Sequence, residues 1–505
     1  MSDTTHIDSL DEAQVRALAK RLLAEARFNQ ATIEKLTHEN AVLKRLKFAA
    51  QSERFSAEQR NLLEETLEAD LQAVAEEIEQ LQQAKAPREG SRAKRQALPA
   101  QLPRTEIRHE PENTTCACGC QMQRVGEDVA EKLDYEPGVF TVERHIRGKW
   151  ACKSCQAIVQ APVAAHVIDK GIPSAGLLAQ VLVGKYADHL PLYRQEGIYA
   201  RAGVPIPRST LAQWVGSCGV ALQPLVDAMK HELLCEPVLH ADETPVAMLD
   251  PGAGKTHRAY LWSYCTPGYA KQQMVVFDFA EGRSGRHAQE FLRHPGEHDW
   301  RGALVCDDYA GYKALFAAGV TEAGCLAHAR RKFHALWANH SSTLAEEALK
   351  LFASLYDIER EVAQLDADER RRIRQDKARP AADVLHRWLI ANRQKVPDGS
   401  ATAKAIDYSL GRWQALTRYI DDGRLPADNN WVENRIRPIA LGRNNWLFAG
   451  SLRAGKRAAA IMSLIHSAKL NGHEPHAYLK DVLQRLPTQP ASRIGELLPH
   501  RWQSA

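Results

Sequence analysis

Three acidic residues have the placement that phosphoryl-transfer chemistry needs. Asp242 lies in HADETP, within a strand-like run where Val238, His240, Asp242 and Thr244 alternate onto one face. Asp307 follows the apolar run Ala303, Leu304, Val305 and Cys306, which reads as a buried central strand. Ligand groups in open α/β sheets gather at the carboxyl ends of such strands. Glu433 lies in DNNWVENRIRP, at the start of a helix. Singly, each acid has a structural explanation. Asp242 and Glu243 could form a turn before Pro245, and Asp307 and Asp308 could open a loop. Asn430 and Glu433 have capping-box spacing, and Glu433 and Arg437 are an i, i+4 pair. Together they are the oxygen donors that hold two Mg²⁺ ions (or Mn²⁺) beside a scissile phosphate, about 3.5–4 Å apart.

Basic and aromatic residues surround these acids. HARRKF supplies Arg330, Arg331 and Lys332, and NRIRPIALGRNNWLF supplies Arg435, Arg437, Arg443 and Trp446. Guanidinium forks fit phosphates and indole faces stack on bases, so these residues, with Arg208 further upstream, are the expected DNA contacts. A second chemistry is written in cysteine. Cys152 and Cys155 have knuckle spacing, and CACGC offers Cys116, Cys118 and Cys120. Structural Zn²⁺ takes four thiolates in such pairs, which points to Cys116, Cys120, Cys152 and Cys155, with Cys118 as substitute. The zinc would be structural, since a module of this size has a thin core.

The elements that must position these groups can be outlined. Within a head of residues 1–84, residues 10–84 read as helix, with possible seams Ile33, Leu36, Asn40, Leu43, Lys47, Ala50 and Leu67, Leu71, Val74, Ile78, Leu81, separated by SERFSAEQ. Such heptad-like spacing predicts a leucine-zipper-like head that dimerises, although a hairpin packed on its own domain has the same pattern. Residues 85–110 are a basic, Pro-containing linker, and 111–165 hold the cysteine cluster among strand-like pieces. Residues 166–235 read as helices around GVPIPRS, with Ser209 as N-cap, compatible with a helix-turn-helix reader. Strands follow at PVLHADETPVAML, RAYLWSYCT, QMVVFDFA, GALVCDD and EAGCLAHA, within a core first part at 236–334. A helical insertion at 335–425, a last core part with Glu433 at 426–455 and a helical segment at 456–505 complete the chain.

Composition bounds the rest. The chain has 505 residues, 44% hydrophobic and 25% charged, with a net charge of +4. These globular values exclude a wholly disordered chain, a collagen and a disulfide scaffold. The small total conceals a distribution: −6 over 1–84, +4 over 85–110 and +5 over 424–457. Basic patches of this kind fit a phosphate-bearing partner. No apolar run reaches membrane-spanning length and no signal-peptide core opens the chain, so a cytoplasmic, nucleoid-associated protein without membrane contact is expected.

Longer motifs add a resemblance. HADETP, CDDYAGY, GCLAHARRKF, DNNWVENRIRPIALGRNNWLFAGS and AAAIMSLIHSAKLNGHEPHAYLKDVL resemble the transposases of the insertion sequence 66 family. The Leu/Glu-rich head, the stretch from CACGCQMQRVGEDVAEKLDY to WACKSCQAIVQAP, and LVGKYADHLPLYRQEGIYARAGVPIPRSTLAQWV are similar to that family's leucine-zipper, zinc-finger and first catalytic segments. The resemblance implies a multidomain α/β chain with a ribonuclease-H-like core, interrupted by an all-helical insertion before the glutamate of an Asp-Asp-Glu triad. It places that triad on Asp242, Asp307 and Glu433, with Asp308 as the neighbour of the second. It also matches Cys325 and His328 to a Cys-x-x-His pair found in insertion-bearing transposases. CACGC departs by one residue from the commoner CPxCG, which keeps Cys118 in contention. The implied reaction is DNA transposition: hydrolysis at the element's inverted-repeat ends, then attack of the freed 3′-hydroxyls on target DNA. Implied partners are DNA, further copies of the chain as a homodimer or higher oligomer, and two small accessory proteins. The competing expectation is a catalytically inactive DNA-binding repressor derived from a transposase.

Overall fold

In the computed structural model the described residues are 57–82 and, apart from 99, 101, 112, 116, 118–119, 137, 169–170, 251–254, 294–298 and 341, residues 98–504; before residue 57 they are 26, 28–40 and 42–43. The seam candidates Lys47 and Ala50 and the cysteines Cys116 and Cys118 lie outside them. The protein is mixed α/β and 56% helical. It divides into two compact units, one of residues 1–182, 191–221 and 250–255, the other of 183–190, 222–249 and 256–505.

The first unit is built on a long hairpin. β2 (Gln123–Glu136) and β3 (Val139–Ala151) pair antiparallel, β1 (Arg104–His109) runs parallel to β3, and β4 (Ile158–Gln160) pairs its far end. Gly138 turns the hairpin at φ +91°, a conformation that costs glycine little. Leu133, Val142 and Ile146 are buried on the sheet, and Phe140 meets Tyr135 and Tyr199 edge-on at 4.8 and 5.4 Å. The helices of this unit are α1 (Ala57–Gln82), α2 (Ala175–Tyr186), α3 (Leu192–Arg201) and the start of α4 (Arg208–Leu233). Leu67 and Val74 of the second seam are buried in the single chain. Glu65 accepts the Leu192 N–H at 2.9 Å, Ser217 donates to Glu76 at 3.0 Å, and a Cβ on Gly216 would collide with the Ala69 carbonyl. α1 thus packs on α3 and α4 of its own chain. Helix α4 begins at Arg208, ahead of Ser209, and Glu196 rather than a serine accepts the Arg208 N–H at 3.0 Å.

The second unit holds a five-stranded sheet in the order β7-β6-β5-β8-β9, with β5 Val238–Asp250, β6 Lys255–Cys265, β7 Val275–Ala280, β8 Ala303–Val305 and β9 Thr321–Ala323. β6 and β7 are antiparallel; β8 runs parallel to both β5 and β9. A short helix α5 (Gly285–Phe291) follows β7. The fifth strand candidate is shorter than expected: EAGCLAHA turns helical at Leu326, where α6 (Leu326–His340) begins. Its Leu326, Ala329 and Phe333 sit at helical spacing on one buried face.

Helices α7 (Thr343–Val362), α8 (Ala367–Ile373), α9 (Arg379–Arg393) and α10 (Ala401–Gly411) follow. Their apolar faces share one core with Val238, Val305 and Ala323 of the sheet. A π-helical turn, Arg374–Ala378, joins α8 to α9 just ahead of Pro380, which has no N–H to continue an α-helical ladder. It turns Arg374 inward, 1% exposed, where it forks onto Glu359 and donates to the Tyr419 and Leu425 carbonyls at 2.8 and 2.9 Å. The chain then enters α11 (Asn430–Trp446), α12 (Leu452–Leu470) and α13 (Pro475–Arg485). α12 covers the edge strand β7. The Ser467 and Ser463 hydroxyls accept the Val275 and Phe277 N–H groups at 3.0 and 2.8 Å, and the Asn471 amide donates to the Gln273 carbonyl at 2.8 Å. An edge that would otherwise offer free backbone groups is therefore closed.

Candidate active site

The strand register brings the two aspartates together. β5 and β8 pair as Val238↔Ala303, Leu239↔Leu304 and His240↔Val305. Asp242 and Asp307 each lie two residues beyond the last pair, and the two carboxyls are near enough for Asp307 to raise the Asp242 pKa. The Glu243 N–H donates to Asp242 Oδ1 and the Tyr309 N–H to Asp307 Oδ1, both at 2.9 Å, so each carboxylate is held by the backbone that follows it.

The neighbouring acids are spoken for. Glu243 accepts from Arg283 at 2.6 Å and from the Tyr312 hydroxyl at 3.0 Å, and Arg283 lies over the Tyr309 ring at 4.1 Å. Asp308 is paired to Arg412 at 3.2 Å, the same guanidinium that binds Glu322. The geometry therefore separates Asp242 from Glu243 and Asp307 from Asp308 by what each side chain touches. Arg283, Tyr312 and Arg412 carried no signal in the sequence, because their partners are distant in the chain.

Glu433 sits in the first turn of α11. Asn429, the residue before the helix, makes no side-chain cap. Asp428 takes that part, accepting the Asn430 N–H at 3.0 Å, so the capping-box explanation of Glu433 is not realised. Glu433 instead receives Arg331 at 3.1 Å and lies 3.8 Å from His328 Nδ1, both on α6. Burial holds His328 below the usual histidine range, against the pull of Glu433.

The electrostatics join the three acids. Burial, then Glu243, with further contributions from Asp307 and Glu433, pushes the Asp242 carboxyl up to about 8 despite the hydrogen bond from Glu243 N–H. A carboxyl crowded this way lies in a site short of positive charge, and a hard divalent cation with oxygen ligands would supply it. Among the described residues no three His, Cys, Asp or Glu side chains are drawn together as a finished metal clasp. The residues fit a metal by register and charge.

The remaining candidates are dispersed. Arg330, Arg331, Lys332 and Arg437 are exposed. Lys332 lies over the Tyr408 ring at 4.3 Å. Arg435 folds back onto Trp431 at 4.3 Å, half-buried beside Cys265, and Arg443 donates to the Pro245 carbonyl at 2.6 Å. Trp446 is half-buried, and Arg208 is bound to Glu64 in the first unit. Cys325 is buried, its sulfur accepting the Asn429 N–H at 3.1 Å. In the first unit, Lys153–Cys155 form a turn closed by Gln156 N–H to the Cys152 carbonyl at 2.9 Å, with Gln156 at φ 57°. Cys152 is buried with Met122, against Cys120 and Trp150. Such a knuckle, with a second thiol packed beside it, suits zinc.

Comparison with known proteins settles the family. The model of the "Transposase IS66 family" matches residues 170–457. The chain belongs to that family. Three further models match in order: "Transposase C of IS166 homeodomain" over 35–107, "zinc-finger binding domain of transposase IS66" over 113–156, and "IS66 C-terminal element" over 463–500. The Sinorhizobium fredii (strain NBRC 101917 / NGR234) relative "Uncharacterized protein y4qI" is 36% identical across 97% of this chain and 93% of its own. "Uncharacterized protein y4jD" of the same organism is 36% identical across 81% and 82%. IS66 transposases are DNA transposases of the Asp-Asp-Glu type, so membership implies a DNA partner and a divalent metal, and the zinc finger implies Zn²⁺. Among the described residues no helix is long and apolar enough to cross a membrane.

Proposed function

We propose that this IS66 transposase is catalytically competent and that Asp242, Asp307 and Glu433 are its metal-holding triad. The carrying observation is the register of β5 and β8. It aligns the stretches that lead to Asp242 and Asp307, while Arg283 and Tyr312 bind Glu243 and Arg412 binds Asp308. The strand order β7-β6-β5-β8-β9, with β6 and β7 antiparallel and β8 parallel to both β5 and β9, supports a ribonuclease-H-like core into which the helical segment 335–425 is inserted.

Mg²⁺ or Mn²⁺ bound by these carboxylates would lower the pKa of a water and steady the leaving oxygen in phosphodiester hydrolysis and strand transfer. The chain's own residues supply the rest. Asp242 presents its oxygens from within β5 and Asp307 from just past the end of β8, and Glu433 approaches from α11. Arg331, Arg330, Lys332 and Arg437 offer exposed cations to DNA phosphates. Arg443, Trp446, Arg435 and Arg208 belong to the same reading as supporting or upstream DNA contacts, and His328 as the group that orients Glu433. Cys120, Cys152 and Cys155 with Cys116, or Cys118 in its place, would hold the structural zinc.

The domain division proposed is a zipper-like head (1–84), basic linker (85–110), zinc finger (111–165), helical reader (166–235), split core (236–334 and 426–455), insertion (335–425) and C-terminal helices (456–505). Binding of the element's terminal inverted repeats, assembly as a homodimer or larger, help from two small accessory proteins and residence on the nucleoid complete the reading.

The test is cleavage of the DNA flanking the protein's own gene, with Mg²⁺ or Mn²⁺. The unsubstituted protein is expected to cut at inverted repeats; Asp242→Ala, Asp307→Ala and Glu433→Ala are expected to bind the ends and not cut. Cleavage retained in Asp307→Ala would overturn the triad. Binding without cleavage by the unsubstituted protein would make it a repressor.

A further inference from the structure

Asn429 has no exposed surface, and four hydrogen bonds converge on it. Its side-chain amide donates to the Ala241 carbonyl at 2.9 Å, and its Oδ1 lies 2.8 Å from His240 Nδ1. Its backbone N–H donates to Cys325 Sγ at 3.1 Å, and its carbonyl accepts the Glu433 N–H at 3.3 Å. The amide nitrogen is committed to a carbonyl, which can only accept. Oδ1 therefore faces the imidazole, and His240 must carry its proton on Nδ1. One residue thus ties β5, immediately before Asp242, to the loop after β9 and to the first turn of α11. A buried amide is costly unless every group is paired, and this one does not cap its helix.

We infer that Asn429 is a positioning residue that sets the separation of Asp242 from Glu433, and that Cys325 is its anchor. The sulfur of the Cys-x-x-His pair then acts on the backbone that leads to Glu433, while His328, one helical turn on, faces the carboxylate itself. The inference rests on the reading in which Asp242 and Glu433 share a cation. Ligand-orienting partners of this kind are worth about 10–100-fold in metal affinity or activity.

Hydrogen exchange of the full-length protein tests it without requiring turnover. Asn429→Asp preserves the volume and the acceptor toward His240 but removes the donor to Ala241; Asn429→Leu removes both. Faster exchange is expected in segments 238–243 and 426–436, with 343–362 unchanged. Mn²⁺ titration followed by paramagnetic resonance should show affinity weakened about tenfold, and half-maximal Mg²⁺ for end cleavage should rise likewise, with DNA binding unchanged. If Asn429→Leu exchanges throughout, Asn429→Asp and Cys325→Ala carry the comparison. Unaltered exchange in both segments, or slower cleavage at an unaltered Mg²⁺ half-point, would overturn the inference. Failure of the triad reading looks different: Asp242→Asn and Glu433→Gln would leave Mn²⁺ binding intact whatever Asn429 does.

Discussion

The adjacent acids Asp242 and Glu243 in β5, and Asp307 and Asp308 after β8, become distinguishable once their partners are known. Asp308→Asn should leave end cleavage within about twofold, since it removes only a partly exposed pair with Arg412. Asp307→Asn, of equal size, should abolish cleavage; the two rates measured side by side decide the assignment. Glu243→Gln is expected to weaken the hold on Arg283 and Tyr312 and to lower the Asp242 pKa, because its charge is the largest acidic neighbour there. Much of this site was legible in the sequence: the acids declared themselves by strand ends and motif context. Asn429 did not. An asparagine in DNN reads as turn or cap, and its bonds to His240 and Ala241 cross from one end of the core to the other. Arg435 has a contact within the chain that its motif did not announce. A basic residue near an acid suggests phosphate, yet helical spacing placed it over Trp431.

Helices and strands carry their own consequences. The helices of the insertion are tied to its own last residues by a buried arginine. Arg374→Met should lower stability by about 3 kcal/mol, because it strands Glu359 and two carbonyls, and denaturant unfolding would measure it. On α12, burial beside Lys469, His189 and Arg435 drops His466 to about 3, and the ring meets Phe277 edge-on at 5.2 Å. The unfolded chain takes up this proton near the ordinary value of 6.5 and the folded chain does not. Stability is therefore fully present above that value. It declines as pH falls toward the folded value, by up to about 1.4 kcal/mol per unit for this group. His466→Met should flatten that decline in denaturant unfolding measured between pH 7 and about 4. Periodicity showed the insertion to be helical, but not its π turn or buried arginines, which depend on contacts made elsewhere. It also misjudged GCLAHA, where alternating small and apolar residues suit either element. Only packing against the insertion decides that Leu326 begins a helix.

At the scale of the molecule, the zinc finger and the core answer to different metals. A zinc chelator should expose 111–165 to protease while 236–500 stays intact; cleavage within the core instead would remove zinc from a purely local role. Self-association, if it runs through the head, must use surface left free by α1, whose Leu67 and Val74 are already buried within one chain. Leu36 and Leu43 are buried in the single chain as well, so sedimentation of the full chain with a charge at exposed Val42 (Val42→Lys) is the cleaner test: loss of the larger species assigns the interface to the first run.

The insertion standing between Asp307 and Glu433 also orders events in time. Ribosomes add about 5–20 residues per second, so both aspartates leave the tunnel seconds before Asn429 and Glu433 exist. Until then the nascent protein carries its zinc finger and α4 but only two of its three acids. A message broken within 335–425 would yield a product that keeps the zinc-finger segment and α4 and lacks Asn429 and Glu433. If the proposed triad holds, cutting waits for finished synthesis, and such a product added to the full chain should lower its rate of end cleavage.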